Sequence, residues 1–246
     1  MNNYRSLCTE YYDLVSYRAE EAEVAFYAEL LKKLPEPYLE AMCGSGRLLI
    51  PLVESGLVIH GVDYSPSMLD SCRCRLKEHL DIELIEASVE TMNLTSRYGT
   101  IFIAAGSLQL IQRSQLPIAL QNLRRHLIPG GVLVLEMWVP WQSLITGEIH
   151  DQSKFEVPTS DGRLIKVNVE SQMDRDAQRI LDKQCYAKYN GDEMVASDVE
   201  HLELNWYYRY EMELLLEKAG FIDIEVTVPE HPLVPDSFVC KARLGM

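Results

Sequence analysis

The sequence lacks several features that would place it in a specialised class. No apolar run approaches the roughly 18 residues that a membrane-spanning helix needs. The N-terminal residues show no basic stretch followed by an apolar one, so we expect neither a signal peptide nor a membrane anchor, and we predict a cytoplasmic location. The six cysteines show no CxxC spacing, which gives a disulfide framework or a zinc site little support. We expect no metal.

Basic residues are also scarce in this chain. There are 23 Lys and Arg against 37 Asp and Glu, and the formal net charge is −14. This charge repels phosphate backbones, and no stripe of Lys and Arg offsets it locally, so nucleic acid is not expected as a partner. Hydrophobic residues make up 47% of the sequence, the usual share for a globular protein. At 246 residues the chain has room for one large α/β domain, or for a standard domain with a substantial insertion.

Strand-like and helix-like segments alternate along most of the chain. They do so from about residue 20 to 139, where Val132–Val139 is expected as the fifth strand, and again after about residue 207. This order is typical of a doubly wound, mostly parallel α/β sheet. Turn signals such as Asn190-Gly191 interrupt it and indicate antiparallel hairpins. We predict a cofactor-binding domain at 1–139 and 207–246 and an antiparallel β insertion at 140–206.

A glycine turn after the first strand is the strongest functional signal. Gly44 and Gly46 follow the strand that contains Glu40, and Asp63 ends the next strand. Such a turn lets a ligand approach the backbone, and an acid about 20 positions later can accept hydrogen bonds from ribose hydroxyls. Leu49 stands where a dinucleotide site needs a third glycine, and Glu40 would repel a pyrophosphate but suits an amino group. The pattern predicts a nucleoside ligand with an amino acid end.

These residues and several later segments resemble the class I S-adenosylmethionine-dependent methyltransferase superfamily, in its small-molecule type. The matching segments are LEAMCGSGR, GVDYSPSML, IEASVETMNL, FIAAGSLQLI, LIPGGVLVLEMWVP and RYEMELLLEKAGF. The resemblance implies a Rossmann-like, seven-stranded sheet with a reversed last strand, and S-adenosylmethionine as cofactor. The cofactor-binding residues that it implies are Tyr12, Arg18, Glu40, Cys43, Gly44, Ser45, Gly46, Asp63, Tyr64, Met68, Ser88, Val89, Ala105, Gly106 and Ser107.

The resemblance also implies a role for most of this set. Glu40 would lie near the cofactor's amino group, and Asp63 would bind the ribose. The adenine would be contacted by Tyr64, Met68, Ser88 and Val89. The methionine portion would lie over Ala105, Gly106 and Ser107.

The segment TEYYDLVSYR resembles the one that covers the cofactor in such enzymes. Tyr12 and Arg18 are therefore candidates for the cofactor carboxylate, which a guanidinium can engage through two hydrogen bonds. A solvent-exposed helix start explains the segment nearly as well. Two residues depart from the family pattern. Met42 replaces a usual Gly or Ala and is expected to point into the core, and Ser88 replaces a common Asp, so Glu90 or a backbone group would contribute at the adenine.

The acceptor is predicted only as a class, a small molecule with an amine or a hydroxyl group. Residues placed to act as a general base are Glu136, His150, His201 and Tyr208, although a structural or solvent-facing role explains each of them better. Aromatic residues that could form an acceptor pocket, or simply belong to the core, are Trp138, Trp141, Trp206, Tyr207 and Tyr208. No catalytic residue is assigned.

The insertion leaves further alternatives open. The EMWVP stretch followed by antiparallel strands resembles the arrangement in nucleotide-sugar amine dimethyltransferases, which gives weak support to an amino-sugar substrate. The insertion could serve as a lid, as the interface of a homodimer, or as both. Two other functions remain: a nicotinamide-dependent oxidoreductase, which Leu49 disfavours, and a non-catalytic S-adenosylmethionine-binding module, which Met42 and Ser88 would explain.

Overall fold

The structure, a computed structural model, describes residues 6–76, 82–147, 150–229 and 236–245. Its helices are α1 Ser6–Val15, α2 Glu21–Leu31, α3 Leu49–Glu54, α4 Pro66–Arg75, α5 Leu116–Arg125, α6 Trp141–Thr146 and α7 Arg209–Lys218, with a 3₁₀ helix at Ser107–Leu110. Its strands are β1 Tyr38–Ala41, β2 Ile59–Asp63, β3 Leu84–Glu86, β4 Tyr98–Ile103, β5 Leu127–Trp138, β6 His150–Pro158, β7 Leu164–Asp174, β8 Arg179–Asn190, β9 Glu193–Asn205, β10 Phe221–Thr227 and β11 Ser237–Leu244. Within these ranges no helix is long and apolar enough to cross a membrane.

A seven-stranded sheet forms the centre of the fold, in the order β10-β11-β5-β4-β1-β2-β3. Strands β1 to β5 pair in parallel. Strand β11 runs antiparallel to both of its neighbours, β5 and β10. The predicted doubly wound sheet with a reversed last strand is therefore confirmed.

Successive side chains of the strands pack alternately into two hydrophobic cores, one on each face of this sheet. In β5, Leu133 and Leu135 belong to the core that α5 and α7 cover, whereas Val132 and Val134 belong to the core under α2, α3 and α4. This alternation follows from the two-residue period of a strand. All six residues of β4 are buried, as expected for a central strand covered on both faces.

Local sequence signals set several element boundaries. Ser65 caps α4 with its side chain, which accepts a hydrogen bond from the N–H of Met68 at 3.3 Å, and Pro66 occupies the first helical position. Gly220, with a φ of +88°, follows the end of α7. The helix predicted after Ser65 was expected to reach His79, and the third strand to begin at Asp81; both of these positions lie outside the described residues.

The fifth strand begins earlier than the sequence predicts. We expected it to start at Val132, after a Pro-Gly-Gly turn, but β5 already pairs with β4 at Leu127. The pairing then shifts register, since Tyr98 lies opposite Leu127 and Thr100 opposite Val132. The residues at 128–131 therefore form a bulge within the strand rather than a turn before it.

The segment between β5 and α7 forms a second, antiparallel sheet in the order β6-β7-β8-β9. This confirms the antiparallel insertion after strand five, and the hairpin predicted at Asn190-Gly191 joins β8 to β9. Helix α1 packs on this sheet through a small core that includes Leu7, Ile165 and Tyr186. The face that holds Ile165 and Tyr186, called the inner face below, is the one that α1 covers. The exact division at 140–206 stays a prediction.

Candidate functional site

A cleft lies at the carboxyl ends of β1, β2 and β4, where the strand order reverses on either side of β1. Ligands of open α/β sheets bind at this kind of position. The cleft, called the inner cleft below, is lined by Tyr12, Glu40, Met42, Cys43, Gly44, Arg47, Leu48, Asp63, Tyr64, Met68, Ala104, Ala105, Ser107 and Leu110.

The two glycines of the turn that follows β1 have different surroundings. Gly44 has a φ of +55°, and a Cβ atom added there would meet nothing within 4 Å. Gly46 has a φ of +83°, and a Cβ atom there would lie 2.6 Å from the Sγ of Cys72. Gly44 therefore leaves room for a ligand, whereas Gly46 allows the turn to pack closely against α4.

Asp63 links the turn to the end of β2. Its Oδ2 accepts a hydrogen bond from the Gly44 N–H and its Oδ1 one from the Ser65 N–H, each at 2.8 Å. Burial raises the pKa of Asp63, and these backbone donors work against that rise. A carboxylate offers about four acceptor positions. Asp63 can thus fix the turn and still accept from a ligand hydroxyl.

Glu40, on β1, is the most unusual group in the inner cleft. It is only 4% exposed, and its Oε2 atom is buried with no hydrogen-bond partner among the described residues. Burial raises the pKa of Glu40 to about 8, although the nearby Arg47 lowers it. A buried carboxylate oxygen without a donor is costly, so a positively charged donor in the cleft would satisfy it.

A partly buried ion pair lies beside Glu40. Both terminal nitrogens of Arg47 donate to the carboxylate of Glu23 on α2, each at 2.6 Å. Arg47 also hydrogen-bonds the hydroxyl of Tyr12 on α1. This pair ties α2 and α1 to the glycine turn and leaves one strong cation next to the cleft.

The loop after β4 is held by a second buried carboxylate. Glu136 on β5 is 1% exposed, and its Oε2 accepts from the Ala105 N–H at 2.8 Å and from the Tyr27 hydroxyl at 3.0 Å. Ala105 and Gly106 both have positive φ values, +52° and +69°. Since a non-glycine residue rarely takes this conformation, the Glu136 hydrogen bond stabilises an unfavourable turn in the cleft wall.

A larger cavity of about 890 Å³ lies between the seven-stranded sheet and the antiparallel sheet. It shares Met42, Tyr64 and Leu110 with the inner cleft, which by itself measures only about 80 Å³. A ligand of nucleoside size therefore has to extend from the inner cleft into this large cavity. Ser88 and Val89 lie in the cavity wall, and Asn122 fixes their turn by donating to the Val89 carbonyl at 2.8 Å.

Comparison with known proteins supports what this geometry indicates. The model of a family described as a methyltransferase domain matches residues 39–131, which include the glycine turn, Asp63 and the loop after β4. The structure also superposes on a S-adenosylmethionine-dependent methyltransferase from Clostridium acetobutylicum, with a TM-score of 0.73, 16% identity and 96% of each chain covered. Residues 39–131 thus resemble a methyltransferase domain, and the chain as a whole has the fold of the S-adenosylmethionine-dependent methyltransferases.

Two further proteins that resemble this chain are methyltransferases of amino sugars. A dTDP-3-amino-3,6-dideoxy-alpha-D-glucopyranose N,N-dimethyltransferase from Streptomyces fradiae is 27% identical over 143 residues, so that the match spans about half of its length and 55% of this chain. An amino pentose methyltransferase from Micromonospora echinaspora, involved in calicheamicin biosynthesis, superposes with a TM-score of 0.71 at 18% identity, over 99% of this chain and 98% of that one. At this identity the structural likeness shows the methyltransferase fold.

The fold brings most of the predicted site residues together. Those in the inner cleft are Tyr12, Glu40, Cys43, Gly44, Asp63, Tyr64, Met68, Ala105 and Ser107. Ser88 and Val89 lie in the large cavity. Four others line neither space: Ser45, which is fully buried, Gly46, Gly106 and Arg18. Arg18 is half exposed and pairs instead with Glu54 at 2.6 Å.

Two residues of the candidate site were given no role from the sequence, or a different one. Arg47 directly follows the glycine turn, and its position within LEAMCGSGR was the only available signal. Met42 packs on the larger hydrophobic core, as expected, but its φ is +60° and it also lines both the inner cleft and the large cavity.

The candidate bases and aromatic residues occupy different parts of the fold. His150 and His201 line the large cavity, whereas Glu136 accepts a hydrogen bond from the Ala105 N–H and so holds the loop after β4. Trp206 and Tyr207 are buried in the core. The rings of Trp141 and Tyr208 pack together at 5.6 Å, and Trp138 lies against Gly106. None of the five aromatic residues lines the inner cleft or the large cavity.

Proposed function

We propose that the protein is an enzyme that transfers a methyl group from S-adenosylmethionine to a small-molecule amine. The observation that carries this proposal is Glu40, a buried carboxylate with one unpartnered oxygen in the inner cleft. The ammonium group of the cofactor's methionine end is the donor that this oxygen needs. The residues present therefore fit the cofactor that the superfamily uses.

The rest of the cofactor finds suitable groups in the same cleft. Asp63 retains acceptor capacity for the ribose hydroxyls, and the open side of Gly44 permits close approach to the backbone. Arg47 rather than Arg18 is the cation near the methionine end, since Arg18 pairs with Glu54 outside the cleft. The adenine would extend into the large cavity, towards Ser88 and Val89.

When bound, the cofactor supplies an electrophilic methyl group, which an amine lone pair takes as the carbon–sulfur bond breaks and sulfur keeps the electron pair. Such a displacement requires mainly that the two partners be held in line. The rigid turns around Gly44 and Ala105 and the walls of the large cavity provide that positioning. An acceptor must also lose a proton, and His150 and His201 line the cavity where it would bind.

The amine preference is supported by the relatives, one of which dimethylates the nitrogen of an amino sugar while the other methylates an amino pentose. The large cavity adjoins the inner cleft and offers the acceptor space. A cytoplasmic location, a homodimer formed through the antiparallel sheet and the lack of a nucleic acid partner stay predictions.

Calorimetric titration with S-adenosylmethionine, S-adenosylhomocysteine and NADH tests the proposal. We expect one site per chain for each of the first two ligands and none for NADH. Binding of NADH alone would favour the oxidoreductase alternative. Cofactor binding without turnover of any amine would favour the non-catalytic alternative.

A further inference from the structure

We infer that the amine acceptor enters the large cavity as a cation and carries no phosphate group. This inference rests on the proposed function and narrows its substrate class. It separates the protein from the Streptomyces fradiae relative, which acts on a nucleotide-linked sugar. The basis is the charge that the described residues place around the cavity.

Acidic side chains dominate the cavity wall. Its acids are Glu90, Asp151, Glu170, Asp182 and Glu203, and its one Lys or Arg is Lys183. Glu170 lies 3.7 Å from Lys183, and Glu203 lies 3.8 Å from Arg179, so these two acids have basic partners. Among the described residues, neither Asp151 nor Asp182 forms a salt bridge. The wall therefore keeps an uncompensated negative charge on the side of the antiparallel sheet.

Strand register places two of these acids on one face. Asp151 on β6 lies opposite Ser171 on β7, which in turn lies opposite Asp182 on β8. Directly paired residues of antiparallel strands share a face of the sheet. Side chains two positions apart on a strand also share a face, so this row lies on the inner face together with Tyr186. Asp151 and Asp182 thus belong to the face that α1 partly covers.

Asp182 is held in place by its neighbours. Ser171 and Gln184 hydrogen-bond its carboxylate, and the Tyr186 hydroxyl donates to the Gln184 Oε1 at 2.6 Å. An amide oxygen cannot donate, so the amide nitrogen of Gln184 is the group that donates to the Asp182 carboxylate. The other oxygen of Asp182, Oδ1, is buried without a hydrogen-bond partner among the described residues. An ammonium ion in the cavity would supply the missing donor.

Burial and the neighbouring Asp151 both raise the pKa of Asp182. The carboxylate is therefore a better proton acceptor than an ordinary aspartate. A bound ammonium has no lone pair, so one proton must leave before the new carbon–nitrogen bond can form. Asp182 can take that proton and later release it to solvent, which balances the charge of the step.

The charges of this cavity disfavour a substrate that carries a nucleotide diphosphate. Proteins bind such groups with Arg and Lys side chains or with backbone N–H groups at helix N-termini. The lysine of the cavity wall is paired with Glu170, and Asp151 and Asp182 would repel the phosphates. The same charges attract an amino group on a sugar or other small molecule that lacks phosphate.

The test is a turnover assay with two sets of amines. One set contains methyl glycosides of amino sugars, aminoglycosides and polyamines, and the other contains thymidine and uridine diphosphate amino sugars. Release of S-adenosylhomocysteine is measured for wild type, Asp182→Asn, Asp151→Asn and the control Glu156→Gln. Glu156 is an exposed carboxylate of β6 that pairs with Lys166 at 2.9 Å and does not line the cavity.

We expect turnover in the phosphate-free set. Asp182→Asn should raise the KM for these amines about tenfold or more, because one hydrogen bond between charged groups is lost. KM should stay within about twofold of wild type in Glu156→Gln, and all variants should bind S-adenosylhomocysteine like wild type. Turnover confined to the nucleotide set, or no turnover in either set, would overturn the inference, as would an unchanged KM in both Asn variants. Failure of wild type to bind S-adenosylhomocysteine would instead overturn the proposed function.

Discussion

Replacement of Glu40 by Gln tests the assignment of the inner cleft. The substitution keeps the size of a side chain that is 4% exposed and removes only its ability to carry a negative charge. If Glu40 receives the cofactor's amino group, affinity for S-adenosylhomocysteine must fall, and the size of the loss must depend on pH.

The pH dependence follows from burial. With a pKa of about 8, Glu40 is protonated in roughly nine of ten ligand-free molecules at pH 7, and ionising it there costs about 1.4 kcal/mol. A hydrogen bond between charged groups contributes about 1.5–3 kcal/mol. The net contribution at pH 7 is therefore at most about 1.6 kcal/mol, or roughly tenfold in affinity. At pH 8.5 the ionisation cost is mostly gone, and the loss in Glu40→Gln grows to between about tenfold and a hundredfold.

A rise in pH changes the stability of the fold in the opposite direction to the cofactor affinity: it strengthens binding but weakens the contribution of Glu40 to stability. Because the folded pKa of Glu40 lies above its unfolded value, its contribution to stability is present at acid pH and is lost as the pH rises through about 8. Glu40→Gln should thus be at least as stable as wild type at pH 8.5. A role in folding alone would instead lower the unfolding temperature of the variant.

Calorimetry at pH 7 and pH 8.5, with thermal unfolding of the same samples, measures both effects. We expect wild-type affinity for S-adenosylhomocysteine to rise about eightfold between these pH values, and the affinity of Glu40→Gln to stay nearly flat. Equal affinities of the two proteins at both pH values would refute the assignment of Glu40.

The remaining predictions concern the turn and the ion pair beside it. Gly44→Ala should lower the free energy of unfolding by about 1–3 kcal/mol, because an alanine there must keep a positive φ. Gly46→Ala should lower it by about 1–3 kcal/mol more, because the added Cβ would also lie 2.6 Å from the Sγ of Cys72. Equal losses for the two variants in urea unfolding would contradict this reasoning. Arg47→Met should cost about 3–5 kcal/mol by leaving Glu23 buried without its partner, and most of that loss should be recovered when Glu23→Gln is added. A loss that persists in the double variant would show that the pair is not its cause.

The sheet was predictable because its signals are local. The apolar run Val132–Val139, the cap formed by Ser65 and the Asn190-Gly191 turn each act within a few residues, and the structure has a strand, a helix start and a hairpin at these places. The start of β5 was missed because its first residues pair with β4 through a bulge, which a Pro-Gly-Gly sequence does not distinguish from a turn.

The contacts of the arginines depend on distant parts of the chain. Arg18 and Arg47 are both suited to a carboxylate, but the packing of α2 and α3 decides their partners. Arg47 reaches Glu23 and the inner cleft, whereas Arg18 reaches Glu54 away from it. No spacing in the sequence distinguishes these two outcomes.

The large cavity was equally beyond the reach of sequence patterns. It exists because the antiparallel sheet lies over the carboxyl ends of the parallel strands, and its acids come from several separate strands. The aromatic residues expected there instead fill the core or pair at the surface, as Trp206 and Trp141 show. We therefore infer that the acceptor is recognised by Asp182 and Asp151 rather than by aromatic side chains.

Transfer of an isotopically labelled methyl group is the most direct test of the proposed methyltransferase activity. The purified protein is incubated with S-adenosylmethionine labelled in its methyl group and with a panel of small-molecule amines, and the products are analysed by mass spectrometry. We expect the intact label on nitrogen of an acceptor amine, with one S-adenosylhomocysteine formed for each methyl group transferred. Cofactor binding with no labelled product from any amine would contradict the account.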